Sequence, residues 1–475
     1  MTGRPVLTLE EVALFERDVT LRMPFRFGVV TLTEAPQLFV RARIRLADGR
    51  EGWGVAADLL APKWFDKSPD LSNEDNFEQL RLAVSLAAKA YRAKARPLTA
   101  FALYAACAPA FAEAAEAAGL PPLAAGFGTA LVDRAILDAL LKLEGVSVFD
   151  GARRNLFDLN AALTPDLDDF DLDAFLAGLR PAPSIAARHT VGLVDPILPG
   201  DLAEADRVND GLPETLDEVI RDYGVTHFKL KVGGDPDADI DRLIRIAAVL
   251  DVLPEYRATL DGNEQYADVD GVLALWERIA AEPALARLRE AMLFIEQPIA
   301  RSHALSRDIS SLAALRPVEI DESDGTLGAF VEARALGYAG VSSKSCKGFY
   351  KSLLNRARCG KWNAEAGEER FFMSAEDLTT QAGIAVQQDL ALATLIGCTH
   401  IERNGHHYVN GMASASAAEQ AAFLAAHPDL YTHSHGAVRV RIEGGGIGIG
   451  SLDAPGLGGG PDPDFGAMRE SGEVV

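Results

Sequence analysis

Apolar and polar residues alternate along the first 60 residues of the chain, most regularly between residues 7 and 23. A period of two residues is typical of strands that bury one face. The dipeptide Asp48-Gly49 separates two such runs and predicts a hairpin turn between them. From residue 73 to about residue 142 the apolar spacing becomes helical. Strands followed by helices predict a separate α+β domain, which we place at residues 1–160.

A different pattern begins at Ser184, where short apolar runs alternate with helical segments. Eight such runs follow, with the sequences IAARHTVGLV, THFKLKV, RATLDGN, AMLFIEQP, RPVEIDES, YAGVSSKSC, ERFFMSAED and CTHIERN. Alternating strands and helices with short connections predict a parallel sheet. We interpret them as a closed (β/α) barrel of the α/β class at residues 184–408. An open doubly wound sheet would carry a GxGxxG turn after its first strand, and the sequence has none there.

The composition excludes several classes of protein. Apolar residues make up 48% and charged residues 24% of the chain, as in ordinary globular proteins. The formal net charge of −23 argues against nucleic acid and anionic membranes as partners. The sequence shows no uninterrupted apolar stretch of about 20 residues and no leader with a basic and then an apolar region. Its four cysteines form no paired metal or disulfide pattern. We therefore expect a cytoplasmic protein.

Charged residues stand at the predicted carboxyl ends of successive strands, where an α/β barrel carries its chemistry. Three consecutive strands end in a carboxylate, and the strands before and after them end in lysine. These residues are Lys229, Lys231, Asp261, Glu296, Asp321 and Lys344. Any one of the acids alone is explained by capping of the following helix. Three acids in register on neighbouring strands, with lysines on both sides, predict a functional site instead.

The three acids predict a metal site. Carboxylates that converge on one point repel one another unless they are protonated or bridged by a cation. A hard divalent ion with oxygen ligands resolves this conflict, and Mg²⁺ commonly binds a few carboxylates together with substrate oxygens. We therefore predict that Asp261, Glu296 and Asp321 bind Mg²⁺.

The lysines predict acid/base chemistry beside this metal. Removal of the proton α to a carboxylate is difficult, and a metal bound to the carboxylate stabilises the enediolate that results. A neutral lysine is a suitable base. Lys229 would lower the pKa of Lys231 or donate to the substrate carboxylate. Lys344 comes from a strand across the barrel mouth and would face the other side of the substrate.

The motifs KLK, LDGNE, IEQP, IDES and SSKSCKG resemble those of the enolase superfamily, specifically its muconate-lactonising-enzyme-like subgroup in the mandelate racemase/muconate lactonising enzyme family. The resemblance implies a modified (β/α)7β barrel with an α+β capping domain, and residues 409–475 that close back on the cap. It implies that Lys231 and Lys344 are the acid/base pair and that the strand-end acids bind Mg²⁺. Two cap loops, residues 24–28 and 53–67, would select the substrate.

Two further residues are candidates for substrate binding, namely Asn263 in LDGNE and Glu402 at the end of the eighth strand. The sequence also departs from some members of the family. The seventh strand ends with Ser374, Glu376 and Asp377, where mandelate-racemase-type members have a histidine paired with an aspartate. The eighth strand lacks the DxD-type sequence of dipeptide epimerases.

These observations predict Mg²⁺-dependent abstraction of the proton α to a carboxylate, giving racemisation, epimerisation or cycloisomerisation of a small carboxylic acid. Dehydration of an acid sugar or hydroxy acid at the same site is the first alternative. A Schiff-base aldolase with an activated lysine is a second, although it leaves the three acids without a role. A catalytically inactive barrel that acts as a binding protein is a third. We expect a homo-oligomer, which is the usual state of soluble enzymes of this kind.

Overall fold

The computed structural model describes residues 3–27, 30–94, 96–378 and 381–471. The strands are β1 (Leu7–Phe27), β2 (Val30–Leu46), β3 (Glu51–Leu59), β4 (Ser184–Val191), β5 (His227–Lys231), β6 (Arg257–Asp261), β7 (Met292–Glu296), β8 (Val318–Ile320), β9 (Gly340–Ser343), β10 (Phe372–Ala375), β11 (His400–Arg403), β12 (Tyr431–Ser434), β13 (Ala437–Val440), β14 (Gly446–Gly448) and β15 (Arg469–Glu470).

The helices occupy the cap and the outer surface of the barrel. They are α1 (Asn73–Arg92), α2 (Ala100–Ala117), α3 (Pro122–Glu144), α4 (Val148–Arg153), α5 (Leu172–Ala177), α6 (Leu216–Tyr223), α7 (Pro236–Leu250), α8 (Val269–Ala281), α9 (Ala286–Ala291), α10 (Arg301–Ala304), α11 (Ser310–Ala313), α12 (Ala329–Ala335), α13 (Phe349–Ala366), α14 (Ile384–Leu395), α15 (Gly405–Tyr408) and α16 (Ala417–Ala426).

The cap is built on an antiparallel sheet in the order β15-β1-β2-β3. β2 and β3 are joined by the predicted hairpin. Gly49 in its turn adopts φ +90°, and this left-handed conformation favours glycine because it has no Cβ. The helices α1, α2 and α3 follow the sheet in the chain, so the predicted order of strands and then helices is confirmed.

Helix α3 differs from its prediction in one respect. The sequence predicts a helix with one apolar side that ends at Gly145, and the helix does end there, with Gly145 at φ +66°. However, α3 is buried on nearly every side, and the buried residues include Asp133, Arg134 and Asp138. The reason is that α3 contacts β2, β3, α1 and α13 together, so it has little surface left for solvent.

The strands β4–β11 run parallel and form the barrel. Hydrogen bonds join them in the order β10-β9-β8-β7-β6-β5-β4-β11. Between the described residues, β10 and β11 meet at a bridge from Glu376 to Glu402, and the Asp377 amide donates to the Glu402 carbonyl at 3.1 Å. β11 is followed by the short helix α15, in keeping with a (β/α)7β pattern. The predicted barrel of the α/β class with an α+β cap is confirmed.

The residues after β11 return to both parts of the molecule. β14 pairs with the start of β4, and β15 pairs with β1 of the cap sheet. Arg469 in β15 reinforces the second pairing, since its Nη2 lies 2.8 Å from Glu16 Oε2. The exact domain boundaries stay a prediction. In the described part of the chain, every helix is either too short or too polar to cross a membrane.

Candidate active site

Lys229 and Lys231 lie on β5 and face the inside of the barrel mouth, because residues two apart on a strand point to the same side. They alternate with Phe228 and Leu230, which are fully buried in the core. In the pairing of β5 with β6, Lys231 lies opposite Asp261. Lys229 is only 1% exposed, so its ammonium group depends on nearby carboxylates for compensation.

Carboxylates from four strand ends surround the Lys229 ammonium. Its Nζ lies 2.8 Å from Asp261 Oδ2, 2.8 Å from Glu296 Oε1, 3.4 Å from Glu376 Oε2 and 2.5 Å from Glu402 Oε2. Burial lowers the pKa of Lys229, but these carboxylates outweigh burial and hold the pKa well above its usual value. Lys229 is therefore a fixed cation that draws the carboxylates together.

Lys231 is the more accessible of the two lysines. Its side chain is 15% exposed, and its Nζ lies 2.5 Å from Asp261 Oδ2. Burial lowers the pKa of Lys231 and so does Lys229, but Asp261, Glu402 and Glu296 together outweigh them and the pKa is raised. Lys229 thus lowers the pKa of Lys231 as expected, but the neighbouring carboxylates more than offset this effect and favour the ammonium form.

Lys344 approaches the site from the opposite side. It follows β9, and three strands separate β9 from β5 in either direction around the barrel. Its Nζ lies 2.6 Å from Asp321 Oδ1 and 2.6 Å from Glu376 Oε2. The Trp64 ring of the cap covers this ammonium, with its centroid 4.9 Å from Nζ. Such a contact is attractive because the ring face is electron-rich.

Three buried carboxylates at the mouth could hold a metal ion. Oxygens of Glu296, Glu376 and Glu402 all lie within 4.8 Å of one another. Glu296 Oε2 is buried and has no hydrogen-bond partner among the described residues. An unpaired carboxylate oxygen within a ring of acids suits a hard divalent cation such as Mg²⁺. The donor set at the mouth therefore fits the predicted metal.

Asp261 and Asp321, the other predicted ligands, flank this group of three glutamates. Asp261 contacts the same lysine as Glu296, and Asp321 contacts Lys344. Burial raises the pKa of Glu296, and the charges of Asp261 and Asp321 raise it further. Burial also opposes ionisation of Asp321, but Lys344 and Lys347 outweigh it and lower its pKa. The assignment of Asp261, Glu296 and Asp321 as the ligands stays a prediction.

Glu376 is the residue of this site to which the sequence analysis assigns no role. It directly follows β10, and its Oε2 contacts both Lys229 and Lys344. Burial, reinforced by the charge of Glu402, raises the pKa of Glu376 to about 7. Its position one residue beyond an apolar strand is the same signal that identified the other strand-end acids. The same pattern in the sequence therefore marks Glu376 as a residue of the mouth.

The two candidate substrate-binding residues lie in different surroundings. Glu402 lines the cavity at the mouth, where it accepts hydrogen bonds at 2.5 Å from Thr190 Oγ1 and at 2.5 Å from Lys229 Nζ. Asn263 donates its side-chain amide to Glu322 Oε1 at 3.0 Å. The amide of Asn263 is thus engaged with a neighbouring carboxylate. Both substrate-binding roles stay predictions.

A cavity of about 30 Å³ lies between the cap and the barrel mouth. This volume holds a water molecule and is too small for an organic substrate. Binding of a substrate therefore requires side chains at the mouth to move. The cap lines the cavity with apolar side chains and the barrel lines it mainly with charged ones. They are Phe25, Leu32, Leu59, Ala61 and Trp64 from the cap and Lys229, Lys231, Asp321, Glu376 and Glu402, with the uncharged Leu378 and Asn404, from the barrel.

Both predicted specificity loops contribute to this lining, through Phe25 and Trp64. Gly28, at the end of the first loop, lies outside the described residues. We call residues 64–67 of the second loop the lid segment. Arg301 fastens the lid segment to the barrel, since its Nη2 donates to the Trp64 carbonyl at 2.9 Å. Substrate selection by these loops stays a prediction.

Comparison with known families decides the identity of this fold. Residues 212–465, more than half of the chain, match a family model described as enolase C-terminal domain-like. The chain belongs to the enolase superfamily. The predicted resemblance is thereby confirmed, and membership places the chain among enzymes related to mandelate racemase and muconate lactonising enzyme.

Solved structures of the enolase superfamily share the whole architecture. A 2-chloromuconate cycloisomerase from Rhodococcus opacus 1CP aligns with a TM-score of 0.56 at 17% identity, over 96% of each chain. A mandelate racemase/muconate lactonizing enzyme from Roseiflexus sp. aligns with a TM-score of 0.56 at 18% identity, over 98% of this chain and 99% of that one. A Roseovarius nubinhibens ISM member complexed with magnesium aligns with a TM-score of 0.55 at 18% identity, over 98% and 99%. At such identities the likeness shows the fold, and no curated protein sequence matches this enolase-superfamily chain.

Proposed function

We propose that the enzyme abstracts the proton α to the carboxylate of a small carboxylic acid in a Mg²⁺-dependent reaction, through an enediolate, and that the outcome is racemisation, epimerisation or cycloisomerisation. The observation that carries this proposal is the placement of Lys231 and Lys344 on opposite strands of the barrel mouth, with a ring of acids between them. Two amines on opposite faces of a substrate can remove a proton from one face and return it to the other.

The strand-end acids are the residues that would hold the metal. We propose Asp261, Glu296 and Asp321 as its ligands, and the unpartnered Oε2 of Glu296 supports this role. When bound, Mg²⁺ neutralises charge that develops on the substrate carboxylate. Lys229 keeps the carboxylates of the mouth close together before substrate arrives.

Lys231 must lose its proton to serve as a base. Asp261 is the group that holds the proton on Lys231, while burial and Lys229 both favour the neutral amine. If Asp261 Oδ2 is engaged elsewhere, the strongest of the influences that hold this proton is removed and the pKa of Lys231 falls. Asp261 therefore controls the protonation state of Lys231, which unites its proposed ligand role with the activation of the base.

The proposed reaction predicts a specific isotope result. When the enzyme is incubated in D₂O with Mg²⁺ and a panel of chiral small carboxylic acids, at least one acid is expected to exchange its α-proton for deuterium, which ¹H NMR detects directly. Removal of divalent ions with EDTA should abolish the exchange, and added Mg²⁺ should restore it. Exchange without an elimination product distinguishes isomerisation from dehydration. Exchange that persists without any divalent ion would contradict the proposal.

Metal binding is tested by Glu296→Gln, which keeps the shape of the side chain and removes its charge. We expect Mg²⁺ affinity, measured by isothermal titration calorimetry, to fall by roughly 10- to 100-fold, the range seen when even the supporting partners of metal ligands are removed. Glu319→Gln is the matched control. Glu319 is fully buried on the neighbouring strand, where its Oε1 accepts from Ser374 Oγ at 2.8 Å, and it lies outside the group of glutamates that could hold a metal. Equal affinities of the two variants would contradict the assignment of Glu296.

A further inference from the structure

The cap covers the proposed catalytic groups with an apolar surface. We call the cavity of about 30 Å³ at the barrel mouth the catalytic cavity. Its cap side consists of five side chains, which we call the apolar roof: Phe25, Leu32, Leu59, Ala61 and Trp64. Phe25 lies opposite Leu32 in the pairing of β1 with β2, so both side chains are on the same face of the cap sheet. The roof is thus formed by the ends of the three cap strands and the loop that follows β3.

The apolar roof lies over the proposed acid/base pair. The Trp64 ring centroid is 4.9 Å from Lys344 Nζ, and Lys231 lines the same cavity. The Phe25 ring packs on the Tyr408 ring with centroids 4.3 Å apart, and the other four roof residues are at most 5% exposed. Movement of these side chains on binding changes the space beneath them but not their apolar character. A substrate whose α-carbon lies between the two amines therefore places its substituents against this roof.

The polar side chains of the same cap segments are turned elsewhere. Arg26 follows Phe25 along β1 and is exposed, so it lies on the opposite face of the strand. Thr31 and Thr33 flank Leu32 and are exposed in the same way. The Lys63 ammonium donates to the Ser68 carbonyl at 2.7 Å. The described part of the roof therefore offers a substrate substituent one indole N–H group and no charge.

The charged side chains on the barrel side of the catalytic cavity are already paired. Each has a group of opposite charge within ion-pair distance, and the pairs are Lys231 with Asp261, Asp321 with Lys344, and Glu376 and Glu402 with Lys229. One substrate carboxylate is accommodated at this end by the amines and the proposed metal. A second carboxylate would meet no unpaired cation among the described residues that line the cavity.

We propose that the substrate is a monocarboxylic acid whose other substituents are apolar alkyl or aryl groups, and that polyhydroxy acids and dicarboxylic acids are poor substrates. This inference rests on the proposed function and names the substrate class of that site. Each methylene group buried against the roof favours binding by roughly fourfold. Each hydroxyl buried without a partner disfavours binding by roughly fivefold or more. An acid sugar carries several such hydroxyls, so the roof disfavours it as a substrate.

The test compares 2-phenylpropanoate with gluconate and 2-methylsuccinate, each of which has a proton on a chiral α-carbon. Calorimetry in the presence of Mg²⁺ measures binding independently of turnover, and ¹H NMR in D₂O measures exchange of the α-proton. We expect 2-phenylpropanoate to bind roughly tenfold or more tightly than either of the other acids, and to exchange fastest. The substrate class is overturned if 2-phenylpropanoate does not bind, or if gluconate or 2-methylsuccinate binds as tightly. Selective binding of 2-phenylpropanoate without exchange would instead support the substrate class and contradict the proposed reaction.

Leu32→Asn tests the roof directly, because it replaces an apolar roof side chain with a polar one of similar size. It should weaken 2-phenylpropanoate binding by roughly tenfold and should not weaken gluconate binding. Leu14→Asn is the matched control. Leu14 lies on the neighbouring strand, is 8% exposed and is not among the residues that line the catalytic cavity, so this variant should keep the wild-type preference. Equal effects of Leu32→Asn on the two acids would refute the role of the roof.

The conclusion does not depend on one variant folding. Circular dichroism checks each protein, and the comparison of the three acids on the wild type needs no substitution. Phe25→Ser, at a partly buried roof position, provides a second variant with the same expected loss of preference. Leu32→Met keeps the position apolar and should retain the preference for 2-phenylpropanoate. Loss of the preference in Leu32→Met as well would show that packing, rather than polarity, sets it, and would overturn the inference.

Discussion

Lys231→Ala and Lys344→Ala are each expected to lose racemisation or cycloisomerisation by about 10²- to 10⁴-fold, the usual contribution of a positioned acid or base. The two amines reach the barrel mouth from opposite strands, so neither can replace the other. The measurement is α-proton exchange in D₂O, followed by ¹H NMR for each enantiomer of an active substrate. Each variant should lose exchange most strongly for the enantiomer whose proton its missing lysine faces.

The control for this experiment is another buried lysine. Lys351 is 7% exposed and pairs with Asp324, away from the catalytic cavity. Lys351→Ala should retain exchange at close to the wild-type rate, although it also removes a buried lysine and should lower the stability of the fold to a similar extent. Lys344→Ala leaves Asp321 and Glu376 without their common cation, so thermal melts must accompany the kinetics. Retention of full exchange in both catalytic variants would refute the assignment of the two lysines.

Arg134→Met is expected to destabilise the folded protein by about 3–5 kcal/mol, the effect of removing one partner from a buried ion pair. Arg134 on α3 lies 2.7 Å from Asp58 Oδ2, and the two side chains are 1% and 2% exposed. It also donates to Gln388 Oε1 on α14 at 3.0 Å, so it joins the cap to the barrel. Urea unfolding of the variant and the wild type measures the difference in the free energy of unfolding.

The pH dependence of this difference is a second readout. Burial raises the pKa of Asp58, and Arg134 opposes that rise. Without Arg134 the folded-state pKa rises further above the unfolded value, and such a carboxyl destabilises the fold when it is ionised. The difference in the free energy of unfolding between the wild type and Arg134→Met should therefore be greatest at neutral pH. It should shrink as the pH falls through the folded-state pKa of Asp58. A deficit that grows in acid would contradict this account.

Arg45→Met provides the control for Arg134. The Arg45 side chain is 49% exposed and pairs with Glu10 and Glu51 on the cap surface. Exposed ion pairs contribute about 0–1 kcal/mol, so this variant should unfold close to the wild type. The double variant Arg134→Met with Asp58→Leu should recover part of the lost stability, because it leaves no unpaired buried charge.

The strand-end residues could be predicted because topology, rather than a local motif, places them together. Once alternating strands and helices indicate a barrel, the carboxyl ends of its strands must share one face. The sequence alone therefore predicts that Lys231, Asp261, Glu296, Asp321 and Lys344 lie near one mouth. In the structure their charged groups form ion pairs at this mouth. Lys231 pairs with Asp261, and Lys344 pairs with Asp321. Asp261 and Glu296 both pair with Lys229.

The features that could not be predicted depend on contacts between distant segments. The raised pKa of Lys231 arises because Asp261, Glu402 and Glu296 together outweigh burial and Lys229, and spacing along the sequence does not rank such contacts. The burial of α3 on nearly every side has the same origin. An amphipathic pattern reports a solvent-facing side, and α3 has almost none. Arg134 on α3 therefore looks like a surface arginine in the sequence.

The joint between β10 and β11 has a further consequence. Among the described residues, these strands meet at a bridge from Glu376 to Glu402, so few backbone hydrogen bonds join this part of the barrel wall. The side chains of the same two glutamates share the Lys229 ammonium. The wall at this joint is therefore held partly by side chains that line the mouth, and Asp377 adds hydrogen bonds from the amides of Asn404 and Gly405 at 3.0 Å and 3.3 Å. A substitution of Glu376 or Glu402 is thus expected to loosen this part of the wall as well as to change the charge of the mouth.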